Sequence, residues 1–200
     1  MASPWVILVA AILTNNILLV HFLGMCPFLA ISRNMKAAIG MGSAVVFVTT
    51  VTAMLNHLIY YGVLVKDAPL CAADLTHLTF IVFVLVIAGF TQLVEIVIER
   101  VSPTLYYALG VFLPLIAVNC AILGASFFMV IREYSFAQAA AFGLGTGVGW
   151  SLVIVAMAGI RERLKTADVP APLRGLGISL MVAGLMAMAF MGFTGMVNIH

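Results

Sequence analysis

The sequence predicts an all-α membrane protein: six transmembrane helices in two inverted three-helix repeats, the first and fourth helices broken near the bilayer midplane. Three observations predict it. Hydrophobic residues make up 64% of the 200 positions and charged residues only 8%, against roughly 25% charged in a soluble domain, so the bilayer is the solvent. Apolar stretches of spanning length alternate with short turn or charge signals. The second and fifth stretches open alike. A net charge of +2, with no basic cluster interleaved with aromatics, excludes nucleic acid as a partner.

A membrane helix needs about 20 mostly apolar residues, and six stretches qualify: 4–31, 37–64, 75–98, 104–130, 136–160 and 173–196. The first runs from Pro4 without a basic start or a following cleavage site, so no cleavable signal peptide is expected. It contains "HFLGMCPFLA" (21–30). There Pro27 cannot donate a backbone bond and pushes Cys26 away from helical geometry, while Gly24 bends at low steric cost. The second opens on "AAIGMGSAVVF" (37–47). The third, beginning near "DLTHLTFIVFVLVIAGF", ends with Glu95 and Glu99 on one face. The fourth holds "LPLIAVNCAILGA": Pro114 frees a carbonyl one turn earlier, and Asn119, beside Cys120, bonds its own backbone. The fifth opens on "AAFGLGTGVGW" (140–150), and the sixth follows "PLRG". One membrane domain therefore covers residues 1–200.

Positive residues favour the cytoplasmic side. The first, third and fifth connections hold Arg33, Lys36, Arg100, Arg161, Arg163, Lys165 and Arg174, while the others hold Lys66 and Arg132. Both termini are therefore expected outside, in the periplasm of a Gram-negative cell.

Ala37, Ala38, Gly40, Gly42 and Val45 recur without gaps as Ala140, Ala141, Gly143, Gly145 and Val148. The halves, about 1–100 and 101–200, then carry three spans each. An odd number inserts the second half upside down, which brings equivalent positions together near the midplane. Cys26 and Cys120 are equivalent in that scheme. Each sits at a break, where backbone amides favour thiolate charge. A buried cysteine alone is commonly inert packing; the conjunction of break, repeat and pair raises a functional role to equal standing. Two thiolates cannot complete a four-coordinate metal site, so a partner chain with a similar pair is required. Cys71 lies in a hydrophilic loop without a counterpart and is incidental.

Other polar residues carry weaker signals. Glu95 is the best intramembrane ionisable candidate for an ion path, weighed against an interfacial acid paired with Arg100 or a partner. His21 is either a hydrogen-bond donor that tunes the cysteine site or a satisfied core histidine. Asn15, Asn16 and Asn119 are expected to satisfy broken backbone or neighbouring helices. His57 and His77 carry no signal. "GLGTGVG" (143–149) lies in a span, where glycines serve packing rather than a dinucleotide.

"NNILLVHFLGMCPFLAIS", "LGVFLPLIAVNCAILGA", "AGIRERLKTADVPAPLRG" and "AGLMAMAFMGFTG" together resemble the NqrE/RnfA family, membrane subunits of the Na⁺-translocating NADH:quinone oxidoreductase (NQR) and the related Rnf complex. The likeness runs along nearly the whole chain. It implies pairing with a homologous NqrD-like subunit (RnfE in Rnf), each contributing two cysteines to a [2Fe–2S] iron–sulfur cluster inside the membrane. Carried onto this sequence, the ligands are Cys26 and Cys120. It also implies assembly with NqrA, NqrB, NqrC and NqrF in the bacterial inner membrane, and electron relay from a cytoplasmic NADH-oxidising subunit toward periplasmic-side flavin and ubiquinone, coupled to Na⁺ translocation. No NADH site is expected in this chain. "FFMVIREYSFAQ" looks more like the NQR branch and "DVPAPLRG" like the Rnf branch, and the NQR branch is preferred. The rival from another class is a secondary transporter, which shares inverted repeats and broken helices but needs midplane charges or unwound carbonyls for its substrate, and this midplane is poor in charge. A purely structural membrane anchor is the third reading, and it predicts that both cysteines tolerate serine.

Overall fold

Hydrocarbon offers the backbone no hydrogen-bond partners, so a lipid-facing segment must bond within itself. Every regular element in the computed structural model is accordingly helical among the described residues, which are 3–64, 76–101, 113–168, 170 and 174–193. The helices are α1 (Pro4–Ile12), α2 (Met25–Ile31), α3 (Met35–Ile59, prolonged by a π-helical turn Tyr60–Leu64), α4 (Thr79–Val101, after a 3₁₀ turn Thr76–Leu78), α5 (Leu113–Ala117), α6 (Cys120–Ile131), α7 (Phe136–Leu164) and α8 (Leu176–Met191). Four stretches are long and apolar enough to cross a membrane: Met35–Leu64, Thr79–Arg100, Pro114–Ile131 and Phe136–Leu164; α8 is apolar but shorter. The chain is a multi-pass membrane protein.

Helix starts follow local chemistry. Pro4 opens α1, where its missing N–H costs nothing. Asn34 caps α3 by accepting from Lys36 N–H at 3.2 Å, and Gln138 Oε1 reaches back to accept from Ser135 N–H at 3.0 Å at the start of α7.

The long helix α7 is the spine. Its glycines alternate between two neighbours, because residues two apart lie on nearly opposite sides of a helix. Gly143 and Gly147 seat α3: a Cβ at Gly147 would stand 2.7 Å from Val46 Cα. Gly145 and Gly149 seat α1: a Cβ at Gly145 would stand 2.8 Å from the Leu8 carbonyl oxygen. Close backbone approach of this kind is how helices associate in lipid. The glycine run therefore packs helices, in line with its sequence reading. Around it, Trp150, Phe28, Ile7, Met41 and Ile154 are fully buried. By contrast α4 exposes Phe80, Ile81, Leu85, Leu93 and Ile96, an outer surface suited to lipid or a partner helix.

The prolines differ from expectation. Pro114 lies in the first turn of α5 and Pro27 in the first turn of α2, where a missing N–H is free. They start short helices rather than kink long ones. The first break is also wider than expected, running through residues 13–24.

Candidate metal centre

Polar side chains end α1 and hold the break open. Thr14 Oγ1 donates to the Ala10 carbonyl at 3.1 Å and Asn16 Nδ2 to that of Ile12 at 3.1 Å. Asn16 Oδ1 accepts from Leu18 N–H at 3.1 Å. The buried Asn16 thus satisfies the last carbonyl of α1 and an N–H inside the interruption, the demand that irregular backbone inside a membrane imposes. Asn15 takes the amide orientation in which its nitrogen donates to His21 Nε2 at 3.1 Å and its oxygen accepts from Arg132 Nη2 at 2.6 Å. His21 is exposed and its ring lies 4.7 Å from that of Phe128. It is not a core histidine, and its ring is engaged by Asn15 and the end of α6 rather than by either sulfur.

The chain re-enters helix at Gly24, whose φ of +84° is left-handed and open to glycine at low cost. No side chain fits there: a Cβ would come within 2.6 Å of Trp150 Nε1 and 3.0 Å of both Ala121 Cβ and Asn119 Oδ1. Trp150 Nε1 donates to the Gly24 carbonyl at 3.4 Å. At the other end of α2, Arg161 Nη1 donates to the Leu29 carbonyl at 2.9 Å and to Ser32 Oγ at 2.7 Å. So α7 grips the short Cys26 helix at both ends.

The second break is two residues long. Asn119 caps α6, its Oδ1 accepting from Ala121 N–H at 3.0 Å, and Cys120 is the first helical residue. Gly24 N–H donates to Cys120 Sγ at 2.9 Å. Two residues of chain reach at most roughly 7 Å, so Cys26 lies close to that contact. The structure brings the two cysteine segments together across 96 positions of sequence. Cys26 is exposed and Cys120 partly so; both are free thiols. Beside Cys120 a cavity of about 230 Å³ is lined by Val84, Ile87, Ala117, Val118 and Leu123 as well as Asn119. Val118 is 81% exposed, so this flank opens outward.

Two observations fit an iron–sulfur group. Both cysteines lie in the first turn of a helix, whose unpaired N–H groups favour negative charge, and Gly24 N–H donates to Cys120 Sγ. Asn119 Nδ2 is buried without an acceptor, a spare donor next to Cys120, and hydrogen bonds to sulfur tune such clusters. Among the described residues no group of three or more His, Cys, Asp or Glu side chains converges, so these residues hold at most two of four positions. Cys71 lies outside the described residues. Glu95 is half-buried on α4, eight residues or about 12 Å along the helix from Ile87 at the cavity, and is not drawn to the cysteines.

Sequence reasoning missed Trp150, Arg161 and Arg132. Arg161 read only as one of the cations of the fifth connection, and nothing local names its partners.

The profile of the family described as "Rnf-Nqr subunit, membrane protein" matches residues 5–197. The chain belongs to this family. Three relatives, each named as the E subunit of a Na⁺-translocating NADH-quinone reductase, are 51% identical to it. The protein of Rhodopirellula baltica aligns over 199 residues, 92% of this chain and 93% of its own. That of Aeromonas hydrophila aligns over 189, 94% and 96%, and that of Hahella chejuensis over 193, 94% and 95%. The family membership expected from the cysteine segments and "IRERL" is thereby shown.

Proposed function

We propose that this chain is the NqrE-type membrane component of a Na⁺-translocating NADH:quinone oxidoreductase, in which Cys26 and Cys120 are half of the ligand set of a [2Fe–2S] cluster shared with a homologous NqrD-like subunit. The observation that carries this reading is the 2.9 Å bond from Gly24 N–H to Cys120 Sγ, which joins two cysteine-bearing helix breaks far apart in sequence. The names and identities of the relatives support the complex. When bound, the cluster supplies one-electron transfer between the cytoplasmic NADH-oxidising subunit and periplasmic-side flavin and quinone.

The chain's own residues do the holding. Gly24 N–H and the first turns of α2 and α6 offset thiolate charge in a low-dielectric setting, which is costly without compensation. Exposed Cys26 and Val118 present the open side to the partner. In this reading the chain folds as six spans in two inverted halves, with both termini periplasmic in the bacterial inner membrane. NqrA, NqrB, NqrC and NqrF complete the assembly. Glu95 is retained as the ion-path candidate, a half-buried acid in an apolar helix.

The test is iron content and the EPR spectrum of the chain co-purified with its homologous partner. Cys26→Ser and Cys120→Ser lose iron and signal, and Cys71→Ser keeps both. Retention of iron in both of the first two variants, or none in the wild-type pair, overturns the reading and favours the transporter.

A further inference from the structure

A second polar feature lies at the end of α7, at the far end of α2 from Gly24. Arg161 is only 9% exposed. Among the described residues its guanidinium donates to neutral acceptors alone: the Leu29 carbonyl, Ser32 Oγ and Ser179 Oγ, the last also contacted by Nε at 3.0 Å. Among the described residues no carboxylate forms an ion pair with it. A buried charge without a counter-ion is costly, and the surroundings add to the imbalance. Arg161 forms part of the wall of a cavity of about 600 Å³, shared with Arg33, Lys165 and Arg174. Among the described residues no acid lines this cavity. Gly175, also in the wall, starts α8 without a side-chain cap, so the orphan N–H groups of that first turn add positive potential. Leu164 and Ile178 provide apolar wall.

We propose that this cavity binds the phosphate head group of an anionic phospholipid. Arg161, Arg33 and Lys165 beside a helix start, with no acid among the described lining residues, select an anion. The volume lies within the range of small-molecule sites and exceeds what a bare phosphate needs, and the apolar wall suits glycerol and the first acyl carbons. The position fits as well: α7 ends here and α8 begins, and the ends of membrane-crossing helices are where head groups meet protein. Basic pockets between transmembrane helices are known to take anionic head groups. The bound phosphate supplies the counter-ion that Arg161 lacks, and so stabilises the junction of α2, α7 and α8. The inference stands independently of the electron-relay reading.

The test uses the membrane complex as isolated, stripped of lipid and moved into nanodiscs of phosphatidylcholine alone or of equal parts phosphatidylcholine and phosphatidylglycerol. Binding of short-chain phosphatidylglycerol is measured in detergent, with inorganic phosphate as competitor. Wild type binds phosphatidylglycerol in preference to phosphatidylcholine and melts at a higher temperature in the mixed discs. Arg33→Gln with Lys165→Gln weakens binding on the order of tenfold and removes the melting difference. Exposed Lys165→Gln alone weakens it less and keeps the test valid if the double variant fails to fold. Arg163→Gln removes the same charge from the same helix end but lies outside the cavity wall, and leaves binding unchanged. Any of three results overturns the proposal: equal loss in Arg163→Gln, which means general surface attraction; displacement of the lipid by millimolar inorganic phosphate, which means a free-phosphate site; or lipid binding unaffected by the double variant while a partner subunit is lost from the complex, which means an acidic protein segment is the occupant.

Discussion

The two cysteine-bearing breaks serve similar thiols by different means. The first spans twelve residues, 13–24, with Asn16 tying its interior to the end of α1 and a left-handed Gly24 at its exit. The second spans two, with Asn119 alone as the cap. The wide break delivers its sulfur to an exposed second helical position, Cys26. The narrow one leaves Cys120 partly covered and bonded by the backbone of the other break. The difference teaches that matching cysteines do not guarantee matching surroundings. The first segment is held from outside by α7, through Trp150 and Arg161, whereas the second is largely capped by itself.

Gly24→Ala tests that dependence most severely. A left-handed alanine costs roughly 1–2 kcal/mol, and its Cβ meets Trp150 and Ala121 as well. Folded yield and iron content should collapse, while Gly89→Ala, with nothing near its Cβ, leaves both unchanged. Next in size, Asn16→Ala takes the partner from the Ile12 carbonyl and from the buried Leu18 N–H and should cost about 2–4 kcal/mol. Asn119→Ala loses one cap, about 1 kcal/mol. Chemical unfolding in detergent compares the two, and equal losses would mean that both breaks cap themselves alike. Cys120→Ala strands the Gly24 N–H and should cost about 1 kcal/mol more than Cys26→Ala in the chain without its partner, read as a difference in unfolding midpoint. Last, Trp150→Phe removes the 3.4 Å bond to the Gly24 carbonyl, about 0.5–1.5 kcal/mol, and leaves a void where the larger, fully buried ring stood. A loss larger than the bond alone would show that the indole also props the break by shape.

Much of the fold is legible in the sequence. The apolar stretches mark the long helices, Gly24 reads as a bend, and Asn16 and Asn119 read as satisfying broken backbone, because each acts on neighbours within a few residues. The width of the first break is not legible. Leu13–Val20 is apolar enough for helix, and only Asn16 packed against Gly149 makes the interrupted form the satisfied one. The prolines mislead for a related reason: whether a proline kinks a helix or begins one depends on where the preceding helix stops. His21 reads toward the cysteines or the core, yet Asn15 draws it to the end of α6.

By itself the sequence determined the solvent, the helical class and the pair of cysteines worth testing, since hydropathy and backbone preference are local properties that survive without knowledge of contacts. Tertiary structure alone decided that Gly24 N–H meets Cys120 Sγ, that Trp150 and Arg161 hold α2 at its two ends, and that four cations share one cavity. Those are encounters between distant segments. Their geometry is set by how closely α7's glycines let α1 and α3 approach, a packing property that no single stretch of chain contains.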